Sequence, residues 1–275
     1  MKIIVPMAGT GRRFVEAGYK DPKPLIHANG KRLIEYITKM FDTENDEFVF
    51  ICNQTHIETT EMSSILHDLV DKCTIIKIDD HKLGPVHSVL QCLEQINDDE
   101  QVIVTYCDNP YKWNYQDFIE YVSNNDLDGC ILSHTGFHPH RLASTYMAYM
   151  KMQDELLVSE VKEKEPYTDD HWTEHASTGT YYFKRGGDVK RYFKQCIDQN
   201  VNFNNEYYVT LVYNLLIEDN LRVGVYDTDL VTVFGTPSEL ENFEAWCTIL
   251  EGSQVKNEQD LINSYNYWKT YHGIS

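Results

Sequence analysis

The sequence contains no C-x-x-C pair, and its seven cysteines, at positions 52, 73, 92, 107, 130, 196 and 247, are odd in number and widely scattered. They read as reduced core thiols rather than a disulfide framework. No apolar run approaches the roughly 20 residues that cross a bilayer. Behind Met1, the run Lys2-Ile3-Ile4-Val5-Pro6 is too short for the core of a signal peptide, so a cytoplasmic protein is expected. Repeats and low-complexity linkers are also missing. Positive charge is scarce: 24 Lys and Arg face 43 Asp and Glu, a net of -19. Nucleic acid and anionic membrane surfaces would be repelled, and neither is expected as a partner.

Apolar residues make up 42% of the 275-residue chain, enough for a packed core and too many for a disordered one. The length suits one large α/β domain or two small ones. The few bases are unevenly placed. Residues 1–40 hold eight of them (Lys2, Arg12, Arg13, Lys20, Lys23, Lys31, Arg32 and Lys39) against Glu16, Asp21 and Glu35, a net of +5. The other 235 residues carry 16 bases and 40 acids, a net of -24. A basic island in an acidic chain suits a small polyanion such as a nucleoside triphosphate. Ordinary surface scatter is the plainer alternative.

Short apolar runs predict strands at 2–6, 47–52, 74–78 and 102–106, and helical spacing covers 33–41, about 58–70 and 86–96. This alternation predicts an α/β, Rossmann-like fold, a mostly parallel sheet with helices on both faces. After about residue 130 strands dominate, at 130–133, 144–152, 156–163 and 178–183, which makes the sheet mixed. Helices return at 187–197 and 206–218, strands at 221–226 and 231–234, and a last helix starts near Pro237. One domain over 1–250 with a helical extension over 251–275 is the simplest division. Ligands of such sheets bind beyond the carboxyl ends of the strands, so the residues after Pro6 and after Tyr106 are where chemistry is expected.

The segment after Pro6 reads Met7-Ala8-Gly9-Thr10-Gly11-Arg12-Arg13-Phe14, followed by Asp21-Pro22-Lys23-Pro24-Leu25. Two glycines directly after a strand let the backbone approach a triphosphate and point successive N–H groups at its oxygens. Arg13 and Lys23 supply charge. A dinucleotide-binding turn would need a glycine where Phe14 stands, and a P-loop would need a Gly-Lys-Ser/Thr that is absent.

The combination P-x-A-G-x-G-x-R-F with P-K-P-L resembles the opening signature of the sugar-phosphate nucleotidyltransferases, whose GT-A-like fold is shared with glycosyltransferases. The resemblance, which in order covers about residues 2–243, implies transfer of a nucleoside monophosphate from a nucleoside triphosphate to a phosphorylated acceptor. It makes Arg13 and Lys23 catalytic cations, and Ala8, Gly9, Thr10 and Gly11 the nucleotide loop. Arg12 would join that loop but departs from the pattern, since the family usually has Thr there. Leu83-Gly84-Pro85-Val86-His87-Ser88 resembles the family's second Gly-containing loop, with Gly84 near base and ribose; a helix start with Pro at its first position explains it equally well. Val102 to Asn109 is a strand ending in an acid, where the family holds its metal-binding aspartate, so Asp108 is expected to bind the nucleotide through Mg²⁺. Glu163-Lys164 and Ser177-Thr178-Gly179-Thr180-Tyr181-Tyr182-Phe183 resemble the acceptor-site elements. They assign Lys164 to the attacking phosphate, and Glu163 and Gly179 to the acceptor.

Asn205-Glu206-Tyr207-Tyr208 and Phe234-Gly235-Thr236-Pro237 complete the resemblance and add Glu206 to the acceptor residues. Two residues before the last Gly-Thr the family commonly has a second metal-binding aspartate, and this chain has Val233. Glu206, Asp227 and Asp229 are the candidate substitutes. His134, His138 and His140 precede Arg141 in a segment that reads as a polar loop over the acceptor pocket, with Arg141 near a phosphate or carboxylate, in preference to a zinc site. Tyrosines and tryptophans read as core or interface residues, and a homo-oligomer stays open. Two other functions compete. A GT-A glycosyltransferase would normally show Asp-x-Asp, which Asp108-Asn109-Pro110 matches poorly. A catalytically silent nucleotide-binding regulator would explain Arg12 and Val233.

Overall fold

The computed structural model describes residues 1–136, 138, 146–252 and 259. In chain order the elements are β1 (Lys2–Met7), α1 (Arg12–Glu16), β2 (His27–Ala28), β3 (Lys31–Arg32), α2 (Leu33–Thr38), β4 (Glu47–Asn53), α3 (Gln54–Thr59), α4 (Met62–Leu69), β5 (Cys73–Ile78), α5 (Pro85–Val89), β6 (Val102–Thr105) and α6 (Tyr115–Asn124). They continue with β7 (Gly129–His134), β8 (Ala148–Met152), β9 (Val158–Glu163), β10 (His175–Phe183), α7 (Gly186–Asp198), α8 (Val209–Glu218), β11 (Val223–Asp227) and α9 (Pro237–Gly252).

Nine strands form one sheet in the order β11-β7-β10-β6-β1-β4-β5, with β8 against β10 and β9 against β8; β2 and β3 pair separately. Strands β6, β1, β4 and β5 are parallel, β11 is parallel to β7, and β10 runs against both of its neighbours. The period of two in each strand sorts side chains onto opposite faces. Ile4, Val49, Ile51 and Val104 face a core shared with Val86 of α5, Val189 of α7 and Val212 of α8. Ile3, Val5, Phe50 and Ile103 face the other, shared with Ile34 of α2, Leu66 of α4 and Phe118 of α6. Each such apolar side chain, removed wholly from water, contributes roughly 1.5–3 kcal/mol. The expected mixed, mostly parallel sheet with helices on both faces is the observed fold.

Several elements differ from expectation. Helix α6 was not anticipated; Asn114 caps it by accepting from the Asp117 N–H at 3.2 Å, and Phe118 and Val122 form its buried stripe. The helix expected over 58–70 is two helices, the first starting earlier at Gln54 behind the Asn53 cap. The one expected over 86–96 tightens to a 3₁₀ form after α5, with Cys92 at φ -117°. Residues 231–234 are no strand: they hold to the β6 end by two bonds, Thr232 N–H to the Pro110 carbonyl at 2.8 Å and Phe234 N–H to that of Asp108 at 2.7 Å. Of the stretch expected as a strand from 144, residues 144 and 145 lie outside the described residues, as do 253–258 and 260–275 of the helical extension.

Five of the seven cysteines are buried, and none of the seven forms a disulfide. No helix among the described residues is long and apolar enough to cross a membrane.

Candidate active site

The carboxyl ends of β1 and β6 lie side by side because the two strands are neighbours in register. The loop Ala8–Gly11 leaves β1 and enters α1, which carries Arg12 and Arg13. Phe14, on the inner side of α1, is buried and packs edge-on against Tyr19, pinning this short helix. Lys23 stands in a 3₁₀ turn anchored by buried Pro24 and Leu25, and its ammonium lies 5.5 Å above the Phe14 ring. From there Lys23 reaches the Asp108 carboxylate, 2.5 Å away, in a pair that is only partly exposed.

Across the sheet, β10 bulges between Ser177 and Tyr181 where it faces β7. Gly179 occupies the bulge at φ +86°, in the left-handed region, and a Cβ there would come within 3.0 Å of both Asn109 and Tyr106. The Gly179 N–H donates to the Ser177 hydroxyl at 3.1 Å, and its carbonyl accepts from Tyr106 N–H at 2.9 Å. Such bulges re-aim strands next to sites. Strand β9 ends at Glu163, 7% exposed, which accepts a 2.7 Å hydrogen bond from Thr210 of α8. Burial pushes its carboxyl up to about 7, against the opposing pull of the Thr210 bond and the Lys164 charge. Lys164 follows in the left-handed conformation, φ 61°, rare for a side chain with a Cβ. Its ammonium donates to the Tyr208 hydroxyl at 2.6 Å and sits 4.4 Å from that ring.

These elements enclose one cavity of about 610 Å³, lined by Arg13, Asp108, Glu163, Lys164 and Gly179 among others. Lys23 joins it through Asp108. Not every expected residue arrives there. Ala8 is buried, its carbonyl accepting from the Asn53 amide at 3.3 Å; Gly9, Thr10 and Gly11 stay in the loop, and none of the four lines the cavity. Arg12 points to solvent, held 2.6 Å from Glu16 by the one-turn spacing of α1. Gly84 is used by the fold: at φ +86°, a Cβ would lie 2.7 Å from the Tyr207 nitrogen. Glu206 does not line the cavity either; its carboxylate accepts from the Tyr208 hydroxyl at 2.7 Å. Arg141 lies outside the described residues.

The substitutes considered for the missing aspartate at 233 do not reach the cavity. Asp227 accepts from Ser133 at 2.6 Å and His175 at 2.9 Å at the carboxyl end of β7; burial raises its carboxyl, but these bonds outweigh that and hold it below the usual range. Asp229 is paired through its backbone with Lys112. Val233 does line the cavity, and so does Glu239, which the sequence reading passed over. Glu239 is fixed by a hydroxyl donated from Thr236 at 3.0 Å, a Thr-x-x-Glu pattern at a helix start that was legible in the sequence. Tyr106, Tyr181, Phe203 and Tyr208 are further wall residues that were missed. Their signal lay only in the motifs around Tyr181 and Tyr208.

Among the described residues, no three or more His, Cys, Asp or Glu groups converge to hold a metal. His134 and His138 meet edge-to-face with ring centroids 4.5 Å apart, and His140 lies outside the described residues. Mg²⁺ commonly takes one or two carboxylates and completes its shell with phosphate and water. The donor set therefore fits a magnesium ion that arrives with a triphosphate and meets Asp108, and does not fit a preformed protein cage.

The nucleotidyl transferase family model matches residues 2–207. The chain belongs to the nucleotidyl transferase family. It is 23% identical over 267 residues to the bifunctional protein GlmU of Alkaliphilus metalliredigens, covering 95% of this chain and 52% of that one. The chain thus spans about half the length of the curated relatives it matches. In fold it resembles a nucleoside-diphosphate-sugar pyrophosphorylase from Vibrio cholerae, with a TM-score of 0.73, 22% identity and coverage of 88% of this chain and 99% of the other. It also resembles a UDP-glucose pyrophosphorylase from Acinetobacter baumannii, with a TM-score of 0.66, 15% identity and coverage of 96% and 99%.

Proposed function

We propose that this nucleotidyl transferase joins a nucleoside monophosphate, taken from a nucleoside triphosphate, to a phosphorylated small molecule, in the first instance a sugar 1-phosphate. The single cavity where Arg13, Asp108, Glu163 and Lys164 meet, with Lys23 clamped to Asp108, carries this reading. An acceptor phosphate oxygen attacks the α-phosphorus; the new O–P bond forms as the bond to the β-phosphate oxygen breaks, and pyrophosphate leaves with that electron pair. Such a displacement needs in-line positioning and cations more than covalent help. Arg13 and Lys23 offset the charge gathering on the α-phosphate and the leaving pyrophosphate. Lys164 holds the acceptor phosphate, and Glu163 takes hydrogen bonds from acceptor hydroxyls.

Magnesium held by Asp108 and the phosphates supplies Lewis-acid charge when bound. In this reading the Ala8–Gly11 loop, which connects β1 to α1, receives the triphosphate oxygens through its backbone N–H groups. The names of the structural neighbours support a sugar phosphate as acceptor, and UTP with glucose 1-phosphate is the first pair to test. The reading places the enzyme in the cytoplasm, where nucleoside triphosphates are available.

Pyrophosphate release is measured with each of the four nucleoside triphosphates, Mg²⁺ and a panel of phosphorylated acceptors. Release that depends on one acceptor, and is largely lost in Lys23→Ala, is the expected result. Silence across the panel contradicts it. Release of a nucleoside diphosphate from a nucleotide sugar would point instead to a glycosyltransferase, and triphosphate binding without turnover to a silent regulator.

A further inference from the structure

Lys164 is held by a chain of groups to which the family signature gives no part in positioning it. Its left-handed backbone aims the side chain back under the loop before α8, and its own N–H donates to the Met147 carbonyl at 2.9 Å. The ammonium meets the Tyr208 hydroxyl oxygen at 2.6 Å, and Tyr208 spends its single proton on Glu206, 2.7 Å away. The order of donors is therefore fixed: lysine to tyrosine, tyrosine to glutamate. Rings complete the cradle, Tyr208 at 4.4 Å and Phe203 at 5.5 Å from the ammonium.

Glu206 is itself fixed from two sides. Asn204 and Asn205, at φ 53° and 64°, form a two-residue turn closed by reciprocal 3.0 Å backbone bonds between Phe203 and Glu206. Next to it, Tyr207 N–H donates to Leu83 and its carbonyl accepts from Val86 N–H, at 2.9 and 3.1 Å, an approach that Gly84 alone leaves room for. Lys164, Phe203 and Tyr208 line the cavity while Glu206 stands behind them.

We infer that Tyr208 and Glu206 are positioning residues that orient the Lys164 ammonium toward the acceptor phosphate, so that Glu206 acts through Tyr208 and does not touch the acceptor. The inference rests on the proposed acceptor role of Lys164. One of the ammonium's three protons is committed to Tyr208, which leaves the other two aimed at the phosphate. A loose lysine would have to lose its rotamer freedom at the moment of binding.

The test uses the full chain and the variants Tyr208→Phe, Glu206→Gln and Glu206→Ala. With the acceptor that the wild type turns over, Tyr208→Phe and Glu206→Ala are expected to raise the acceptor KM about 5- to 10-fold, the loss of one charged hydrogen bond. The KM for the nucleoside triphosphate stays unchanged, and Glu206→Gln, whose amide oxygen still accepts, returns the acceptor KM to within about 2-fold of wild type. In parallel, inorganic phosphate is titrated by calorimetry, and the same order of affinities is expected. Equal phosphate affinity in wild type and Tyr208→Phe overturns the inference, whether or not any acceptor is turned over. So does Glu206→Gln behaving as badly as Glu206→Ala. A wild type that binds phosphate in the expected order but turns over no acceptor defeats the proposed reaction and leaves the positioning role standing.

Discussion

Lys23 and Asp108 are 85 residues apart in sequence and meet at 2.5 Å, one from the turn after α1 and the other from the end of β6. The pair joins the basic island of the amino terminus to the acid that ends the central strand. In the proposed reading Asp108 would hold magnesium and Lys23 a phosphate, so the two would exchange partners when the nucleotide binds. Lys23→Ala is expected to lower turnover about 100- to 1,000-fold, as removal of one preorganised charge partner does. Asp108→Asn is expected to raise the Mg²⁺ concentration needed for half-maximal rate, a shift that steady-state titration measures; an unchanged magnesium response would remove Asp108 from the metal.

The two arginines of α1 separate by side. Arg12 is tied to Glu16 in solvent, whereas Arg13 lines the cavity. Arg13→Ala is expected to cut turnover sharply and Arg12→Ala to leave it near the wild-type rate. Comparable losses in the two variants would mean that Arg12 swings in when the nucleotide binds.

Gly9 and Gly84 test fold and function apart. At Gly9 a Cβ would meet nothing within 4 Å, while at Gly84 it would strike the Tyr207 backbone at 2.7 Å with φ at +86°. Gly84→Ala is expected to cost more than about 1 kcal/mol of stability, read as a lower denaturation midpoint in urea. Gly9→Ala is expected to keep that midpoint and weaken triphosphate binding, because the proposed function brings the phosphates to this loop. Unchanged triphosphate affinity would take the loop out of the nucleotide site.

Glu163 makes stability depend on pH. Its carboxyl is raised from the usual carboxylate value to about 7 by burial, so the folded state binds its proton more tightly than the unfolded chain does. Its contribution is fully present below about pH 4.5, declines as pH rises, and is lost above about pH 7, a loss on the order of 3 kcal/mol. Urea denaturation between pH 5 and 8 measures it. Glu163→Gln is expected to flatten that slope and to exceed wild type in stability at pH 8, since the amide still accepts from Thr210. A wild-type slope that persists in the variant would assign the effect to another group.

Much of the site was legible because its residues sit at the ends of periodic segments. The apolar strands at 2–6 and 102–106 announce where their carboxyl ends lie, and the residues just beyond them include Arg13 and Asp108. The order of the motifs located Glu163, Lys164 and Gly179 as well. What the sequence hid were relationships made across the sheet. Nothing local says that Glu206 turns its carboxylate to Tyr208 and away from the cavity, because two asparagines in left-handed conformations set that direction. Nor does Gly84 reveal that its partner is the Tyr207 backbone, more than a hundred residues on. Helix α6 escaped notice because it fully buries only Phe118 and Val122, with Tyr115, Ile119 and Tyr121 partly buried beside them. The run 231–234 is apolar enough for a strand, but Phe234 and Val231 are buried from an irregular chain that follows the β6 end without a ladder.

The central claim is that Arg13, Lys23 and Asp108 close around one triphosphate. A crystal structure of the chain with Mg²⁺ and a non-hydrolysable nucleoside triphosphate analogue tests it most directly. The account predicts phosphate oxygens within hydrogen-bond distance of Arg13 and Lys23, and Asp108 released from Lys23 to the magnesium ion. A triphosphate bound elsewhere, with the Lys23 and Asp108 pair intact, would contradict it.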